Sequence, residues 1–323
     1  MLAWQAESFG EPLDVLALKE IEKPVPGPGE VLIKVRAVGL GLPDLMSVQG
    51  RYPFVPTPPA IPGHSFAGII ESTGPGSSFA PGMRAMARTL YESHAGALAE
   101  YALARDFHTF PAPDELDDAQ AAAFALSYHT AYVGLASRGK LAAGETVLVL
   151  GGSGATGSAA IELGKALGAR IIATARGQAK ADFCRAQGAD LVIDTILSHI
   201  GEALRDLTGG YGADLIFDPV GGEPSDQAVQ AIATGGRLVL IGNAAGLPKL
   251  NPLDMIGRTY SAIGAAFPNR TEAERKQAIT DLDHLVACGQ LKVPVEGQYA
   301  FEEAPRIIAR FGGDLMGMHV INM

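Results

Sequence analysis

A glycine-rich turn is the segment of this sequence best suited to chemistry. Residues 151–157 read GGSGATG, follow the apolar run 146–150 and precede a stretch, 159–167, that reads as helical. In such a turn the glycines allow a sharp bend, close approach of backbone amides to a pyrophosphate, and close packing of helix on strand. The predicted nucleotide-binding residues are Gly152, Ser153, Gly154, Ala155, Thr156 and Gly157.

Two cations after the next predicted strand bear on which nucleotide binds. An NAD enzyme normally places Asp or Glu about 20 residues past the glycine turn, on the adenosine ribose. This chain carries Arg176 and Lys180 in that region instead. Charge-assisted contacts to a 2′-phosphate favour NADPH over NADH. The alternative is that both are solvated residues at the start of a helix.

The elements around the turn indicate a doubly wound α/β domain. Ala-rich helical sequence over 117–136 leads into strands that alternate with helices, which is typical of parallel winding. A helical stretch, 272–288, and a mixed tail, 299–323, follow, and we expect the tail to rejoin the first domain. The predicted strands are 146–150, 170–174, 191–194, 214–217, 237–241 and 260–265.

The first part of the chain predicts a small, mostly β domain. The β-like runs 31–38 and 67–72 are separated by Pro and Gly. The proline-rich stretch 51–63 excludes a helix and indicates an extended surface loop.

Composition limits the classes of function. The chain has 323 residues and a mass of 33.5 kDa, which favours two domains. The net charge of −10 disfavours nucleic acid or an anionic membrane as partner. Without a membrane-length apolar run or a secretion signal, we expect a cytoplasmic protein. Cys184 and Cys288 are too isolated for a disulfide framework, and we expect buried, inert thiols.

Several motifs together resemble the medium-chain dehydrogenase/reductase superfamily, specifically its zinc-independent NADPH:quinone oxidoreductase branch. They are GLGLPD at 39–44, PGHSFAG at 62–68, PGMR at 81–84, GALAEY at 96–101, the glycine turn, and DPVGG at 218–222. The resemblance implies an α/β protein with a GroES-like, mostly β catalytic domain of residues 1–120 and 268–323. It also implies an inserted Rossmann domain, with a doubly wound parallel sheet, of residues 121–267, and a cleft between the two.

The resemblance also assigns ligand positions. Zinc-dependent relatives have metal ligands where this chain has Gly41, His64 and Leu126, and one imidazole cannot retain a catalytic zinc, so no metal is expected. The resemblance places Val220, Gly242 and Asn243 along the nicotinamide half of the cofactor. Thr130 is either a contact of the nicotinamide ribose or a helix-interior hydroxyl bonded to its own backbone.

The candidate catalytic residues are Tyr52 and Asp44. The resemblance places Tyr52 on the loop that faces the cleft, where its phenol would hydrogen-bond the substrate carbonyl or deliver a proton to it; the alternative is that it packs against the proline-rich loop. Asp44 is expected to orient the loop rather than exchange protons. At the substrate site, Gly41 replaces an asparagine often present in relatives and implies a roomier, less polar pocket, while His64 supports the loop.

Hydride transfer to a quinone is the first functional hypothesis, because a conjugated acceptor carries the incoming charge without a metal. The enzymatic alternative is 1,4-reduction of an enone, alkenal or enoyl thioester. An alternative of another class is a crystallin-like protein that binds NADPH without turnover. Relatives dimerise through the last Rossmann strand, here 260–265, so a homodimer is expected.

Overall fold

The structure is a computed structural model whose contacts divide the chain into two compact units. The described residues are 1–52, 57–89, 95–266 and 271–323. The first unit consists of residues 1–126 and 293–323, and the second of residues 127–292.

Strands and helices are numbered in chain order. The strands are β1 (Leu2–Ala6), β2 (Leu16–Glu20), β3 (Glu30–Leu40), β4 (Ser65–Thr73), β5 (Arg84–Arg88), β6 (Tyr101–Arg105), β7 (Thr109–Pro111), β8 (Thr146–Val149), β9 (Arg170–Ala175), β10 (Leu191–Asp194), β11 (Ala213–Asp218), β12 (Ile232–Leu240), β13 (Ser261–Gly264), β14 (Gly297–Ala300) and β15 (His319–Asn322). The α-helices are α1 (Pro12–Val15), α2 (Leu42–Val48), α3 (Asp118–Tyr132), α4 (Ala155–Ala166), α5 (Gln178–Ala186), α6 (Ile200–Leu207), α7 (Gly222–Ala228), α8 (Pro252–Arg258), α9 (Glu272–Ala287) and α10 (Ala304–Ile308). A π-helical turn, Val133–Arg138, continues α3, and short 3₁₀ segments cover Asp106–His108, Val229–Ala231 and Phe301–Glu303.

Strand β3 is the centre of the first unit. The sheet order is β14-β15-β3-β4-β5-β7, and β6 also pairs with β3. Val31, Ile33 and Val35 are buried while Lys34 and Arg36 are exposed, the alternation expected of a strand with one face on the core. The predicted β runs are confirmed in β3 and β4. Because β15 pairs with β3, the prediction that the tail rejoins this unit is confirmed.

The second unit contains a parallel sheet in the order β10-β9-β8-β11-β12-β13, the strand order of a doubly wound dinucleotide-binding fold. All of its pairs are parallel. Each predicted strand is present, and β8 is buried throughout, as expected for a strand covered on both faces. The fold class predicted from the sequence is therefore confirmed.

Two local expectations need correction. Strand β12 begins at Ile232, upstream of the predicted start at Arg237, because Gly235 and Gly236 interrupt the apolar pattern while the strand continues through them. Cys184 is buried as expected, but Cys288 is exposed, because it follows the last turn of α9.

The compact units differ from the sequence-based domain limits at helix α9. The sequence analysis set the return to the first domain at residue 268, which lies outside the described residues, whereas α9 belongs to the second unit. Asp281 of α9 accepts a hydrogen bond from the Tyr132 hydroxyl, and Leu282 is fully buried. As limits of functional domains, the predicted boundaries stay a prediction.

The proline-rich stretch is only partly described, since residues 53–56 lie outside the described residues. Residues 57–63 form no helix, as expected, but Ile61, Pro62 and Gly63 are buried rather than on the surface. The carbonyls of Pro62 and Gly63 accept the N–H groups of Leu98 and Ala97, which draws this end inward. Across the described ranges, none of the helices has the length and apolar character required to cross a bilayer.

Candidate functional site

The glycine turn between β8 and α4 is tied to the end of β9. Gly151 reverses the chain at a φ of 61°, a conformation that favours glycine. Its N–H donates to Thr174 Oγ1 at 2.9 Å, and the N–H of Gly152 donates to the Thr174 carbonyl at 2.9 Å. These two bonds fix the turn just ahead of Arg176.

Glycine is present at positions 152, 154 and 157 of the turn for different physical reasons. A Cβ on Gly152 would lie 2.8 Å from Ala173 Cβ, and a Cβ on Gly157 would lie 2.2 Å from the Gly151 carbonyl oxygen, so protein packing requires both glycines. A Cβ on Gly154 would make only ordinary contact, 3.5 Å from the Gly151 oxygen, at a φ of −83°. Within the described protein nothing requires glycine at 154, whereas close approach of a phosphate would. The turn therefore fits a dinucleotide.

The residues between those glycines are accessible. Ser153, Gly154, Ala155 and Thr156 are partly or fully exposed, and α4 begins at Ala155. The first amides of a helix have no partner within it and carry its positive partial charge. This helix end therefore suits an anion.

Arg176 and Lys180 lie where the sequence predicts them, after the strand next to the glycine turn. Arg176 is exposed directly after β9, and Lys180 is partly buried in the first turn of α5. The Gly177 N–H between them donates to Asp194 Oδ1 at 2.9 Å. Arg176 has no hydrogen bond or ion pair with the described residues, so its guanidinium is available to a ligand.

The structure places Val220 beside the glycine turn, and Gly242 and Asn243 against the segment that carries Val220. A Cβ on Gly151 would lie 2.9 Å from Val220 Cγ2, so Val220 contacts the turn. The Val220 carbonyl accepts the Ala245 N–H at 2.7 Å, which joins the segments after β11 and β12. Thr130, in the same unit, is partly buried within α3.

In the first unit, Asp44, His64 and Tyr52 lie together. Asp44 Oδ2 accepts the Gly41 N–H at 2.8 Å, and Oδ1 accepts the Gly63 N–H at 3.0 Å. The rings of Tyr52 and His64 stack with centroids 5.9 Å apart and planes at 28°. Asp44 thus holds the start of α2 against the segment that presents His64.

Burial determines the protonation of this cluster. It lowers the pKa of His64 to about 3, and the Arg88 charge acts in the same direction, so the imidazole is neutral. Burial also raises the pKa of Asp44 to about 7, although the N–H groups of Gly41 and Gly63 act against it.

The sequence analysis missed Ser47, whose Oγ lies 2.9 Å from His64 Nε2. Asp44 Oδ1 lies 3.9 Å from that same nitrogen. In a hydrolase triad the carboxylate binds the ring nitrogen opposite the serine, so these residues do not form one. The only sequence signal for Ser47 was its place three residues after Asp44 on the short helix α2.

Comparison with known proteins gives a consistent set of relatives. A family described as alcohol dehydrogenase GroES-like domain matches residues 27–114, and one described as zinc-binding dehydrogenase matches residues 155–283. The quinone oxidoreductase of Homo sapiens is similar, at 32% identity over 313 residues that cover 94% of this chain and 91% of that protein.

Solved structures agree over the full length. A probable oxidoreductase from Mycobacterium abscessus matches with a TM-score of 0.88 at 36% identity, covering 100% of this chain and 99% of that one. A mycobacterial protein solved in complex with NADPH matches with a TM-score of 0.91 at 28% identity, covering 100% of each chain.

The zinc in one family description has no matching ligand set in the described residues. Gly41 and Leu126 offer no metal-binding side-chain atom at the positions where zinc-dependent relatives have ligands. In the ranges that the structure describes, no three His, Cys, Asp or Glu side chains are grouped to hold a metal ion. The residues present do not fit a catalytic zinc.

Gly154→Ala separates ligand fit from protein packing. We expect its melting temperature to stay close to that of the wild type, with a loss of at most about 0.5 kcal/mol. The new methyl group would stand where a phosphate approaches, so the Kd for NADPH should rise about tenfold or more. Gly157→Ala is the matched variant and should be destabilised by about 1–3 kcal/mol, because its Cβ meets a backbone oxygen. Calorimetry and thermal melts measure both; unchanged NADPH affinity in Gly154→Ala would refute the phosphate contact.

Proposed function

The chain belongs to the medium-chain dehydrogenase/reductase superfamily and, within it, to the quinone oxidoreductase branch, and from that premise we propose that it transfers hydride from NADPH to a quinone. The observation that carries the proposal is the glycine turn, where the open position at Gly154 suits a phosphate rather than the protein. The human relative's activity supports the acceptor, and the mycobacterial complex supports the cofactor.

The second unit would hold the cofactor. The glycine turn and the start of α4 would receive the pyrophosphate, and Arg176 and Lys180 the 2′-phosphate. Val220, Gly242 and Asn243 would line the nicotinamide half, with Thr130 at its ribose. When bound, NADPH supplies a hydride from its reduced pyridine ring.

A conjugated acceptor suits the cluster of the first unit, whose imidazole is neutral. Reduction of an isolated ketone creates a basic alkoxide that needs strong stabilisation, whereas a quinone spreads the incoming charge over its ring. Tyr52 would donate a hydrogen bond or a proton to the substrate oxygen, and Asp44 would hold the loop. Gly41 has an extended backbone, with a φ of −155°, and a Cβ there would lie 3.3 Å from Pro43 Cδ; without that side chain, this position would present less bulk and no polar group to a ring.

Two alternatives follow from the same features. A 1,4-reductase of enones, alkenals or enoyl thioesters would use the same hydride donor and the same delocalised charge. A crystallin-like protein would bind NADPH in the second unit without turnover. Both require the nucleotide site, so only acceptor chemistry distinguishes them.

We further propose a homodimer that forms through β13. This strand lies at the edge of the parallel sheet, and its residues Ser261–Gly264 carry no charge or proline that would blunt the edge. A cytoplasmic location is supported by the free thiols of Cys184 and Cys288. The net charge of −10 supports a small-molecule substrate rather than nucleic acid or an anionic membrane.

Steady-state assays with NADPH test the function directly. We expect the highest kcat/KM with benzoquinone or phenanthrenequinone, lower values with a 2-alkenal or an enoyl thioester, and no turnover of cyclohexanone, since only conjugation carries the charge. A higher value with the alkenal would favour the 1,4-reductase, and NADPH binding without any oxidation would favour the non-catalytic protein. Efficient, zinc-dependent consumption of simple alcohols would contradict the proposal.

Arg176→Ala should lose NADPH preference. Removing a charge-assisted phosphate contact costs about 1.5–3 kcal/mol, so the Kd for NADPH should rise about tenfold or more while that for NADH stays the same. Arg170→Ala, at the opposite end of β9, is the matched control and should leave both values unchanged. If Arg176→Ala and the wild type bind NADPH with equal affinity, Arg176 is a solvated residue that does not contact the cofactor.

Tyr52→Phe tests the proton donor. If the phenol transfers a proton, kcat should fall about 100-fold and the solvent isotope effect should disappear, with the Kd for NADPH unchanged. Tyr211→Phe removes an exposed hydroxyl bonded to Asp214 in the other unit and should leave kcat as it is. A Tyr52→Phe enzyme with full rate would restrict Tyr52 to packing.

A further inference from the structure

Asp218, the last residue of β11, is the one charged residue of the DPVGG motif that the proposed site does not use. Its side chain is fully buried. Oδ1 accepts the N–H groups of Val220 at 2.9 Å and of Gly221 at 2.7 Å. Its backbone carbonyl accepts the N–H groups of Ile241 at 2.8 Å and Gly242 at 3.2 Å. Asp218 is therefore hydrogen-bonded to the segment after β11 and to the segment after β12.

These two segments fit together without side chains between them. A Cβ on Gly221 would lie 2.1 Å from the Gly246 oxygen, and one on Gly242 would lie 2.7 Å from the Pro219 oxygen. The closest contacts are with backbone atoms, so no flexible side chain separates the two segments. A residue that fixes the first segment thus also fixes the second.

The other carboxyl oxygen of Asp218, Oδ2, lacks a hydrogen-bond partner among the described residues. Asp218 Oδ2 and the Ser225 Oγ on α7 are both buried, and neither has a hydrogen-bond partner among the described residues. Burial raises the pKa of the Asp218 carboxyl, while the N–H of Gly221 and the nearby Ser225 hydroxyl favour its charged form. An amide in place of the carboxyl could retain both bonds at Oδ1 and offer its NH₂ to Ser225.

We propose that Asp218 is a positioning residue for the nicotinamide half of the cofactor site, holding Val220, Gly242 and Asn243 in one arrangement through its bonds to both segments. The proposal rests on the proposed function, because it takes these three residues as the nicotinamide contacts. Asp218 touches neither cofactor nor substrate in this role. Its loss would disturb the nicotinamide end and leave the adenosine end, at Arg176 and the glycine turn, intact.

Binding of NADPH compared with 2′,5′-ADP isolates this effect, since the second ligand lacks the nicotinamide half. In Asp218→Ala we expect the Kd for NADPH to rise about tenfold, the Kd for 2′,5′-ADP to stay within about twofold, and single-turnover hydride transfer to benzoquinone to fall about 10- to 100-fold, the scale of a small misplacement of reacting groups. Asp218→Asn should stay within about threefold of wild type in all three, because the amide keeps both bonds to Val220 and Gly221.

The matched control is Asp214→Ala at the amino end of the same strand. Asp214 Oδ2 accepts the Thr146 N–H at 2.8 Å, so its removal also leaves a backbone donor without its partner. We expect this variant to lose stability but to keep the ratio of the two Kd values. If Asp218→Ala does not fold, Asp218→Ser, whose hydroxyl accepts the two N–H groups more weakly than a carboxylate, is compared with Asp218→Asn instead.

The ratio of the two Kd values decides the proposal. An unchanged ratio in the Ala or Ser variant, whether both ligands weaken or neither does, would overturn it, and so would an Asn variant as impaired as the Ala variant. A wild type that binds NADPH but reduces no acceptor would refute the reductase function alone, because the binding ratio still tests Asp218.

Discussion

Backbone contacts that leave no room for a side chain constrain the carboxyl edge of the parallel sheet. The Gly157 position lies against the Gly151 oxygen, and the Gly221 position against the Gly246 oxygen, each closer than a Cβ could tolerate. The first contact fixes the turn after β8 and the second fixes the segments after β11 and β12 against each other, while Val220 contacts the turn at Gly151. Every candidate cofactor residue of this edge is carried on one of these ends or on the adjacent β9. In the proposed site, the pyrophosphate would be recognised by N–H groups, which a rigid backbone can present without ordering flexible side chains.

In the first unit, a buried polar side chain rather than close backbone packing holds the candidate site together. Asp44 takes the N–H groups of Gly41 and Gly63 and so joins the segment after β3 to the segment before β4, just beyond the last pair of these two strands, Gly39 and Ser65. The cost of burying a carboxyl is offset by these bonds and by partial protonation near neutral pH, since its pKa is raised to about 7. His64 beside it is neutral, because burial and the Arg88 charge both lower its pKa.

The sequence predicts what depends on local pattern. Strands β8 and β9 are recognisable because both faces are covered and their apolar runs are continuous, and the glycine turn because strand, turn and helix follow in order. Contacts between distant segments leave no such pattern in the sequence. The Ser47–His64 bond depends on how α2 meets the segment at residue 64. The burial of Asp218 depends on a sheet that forms only in the folded chain. The assignment of α9 and the exposure of Cys288 are likewise set by packing. The roles of Tyr52, Arg176 and Thr130 stay predictions.

The protonation states limit which acceptors this cluster can serve. His64, with its pKa lowered to about 3, is a neutral imidazole near neutral pH, so it can donate a hydrogen bond but is not an acid of useful strength. Asp44 holds a proton part of the time, but its oxygens are occupied by backbone N–H groups and its side chain is 2% exposed. The Ser47 hydroxyl lies 2.9 Å from His64 Nε2, and Tyr52 stays the proposed donor to the substrate. A phenol, with an ordinary pKa of about 10, is a suitable hydrogen-bond donor to an anion that is delocalised over a ring. A localised alkoxide is far more basic and would require complete proton transfer. The selectivity for conjugated acceptors would therefore originate in the substrate's own electronic structure.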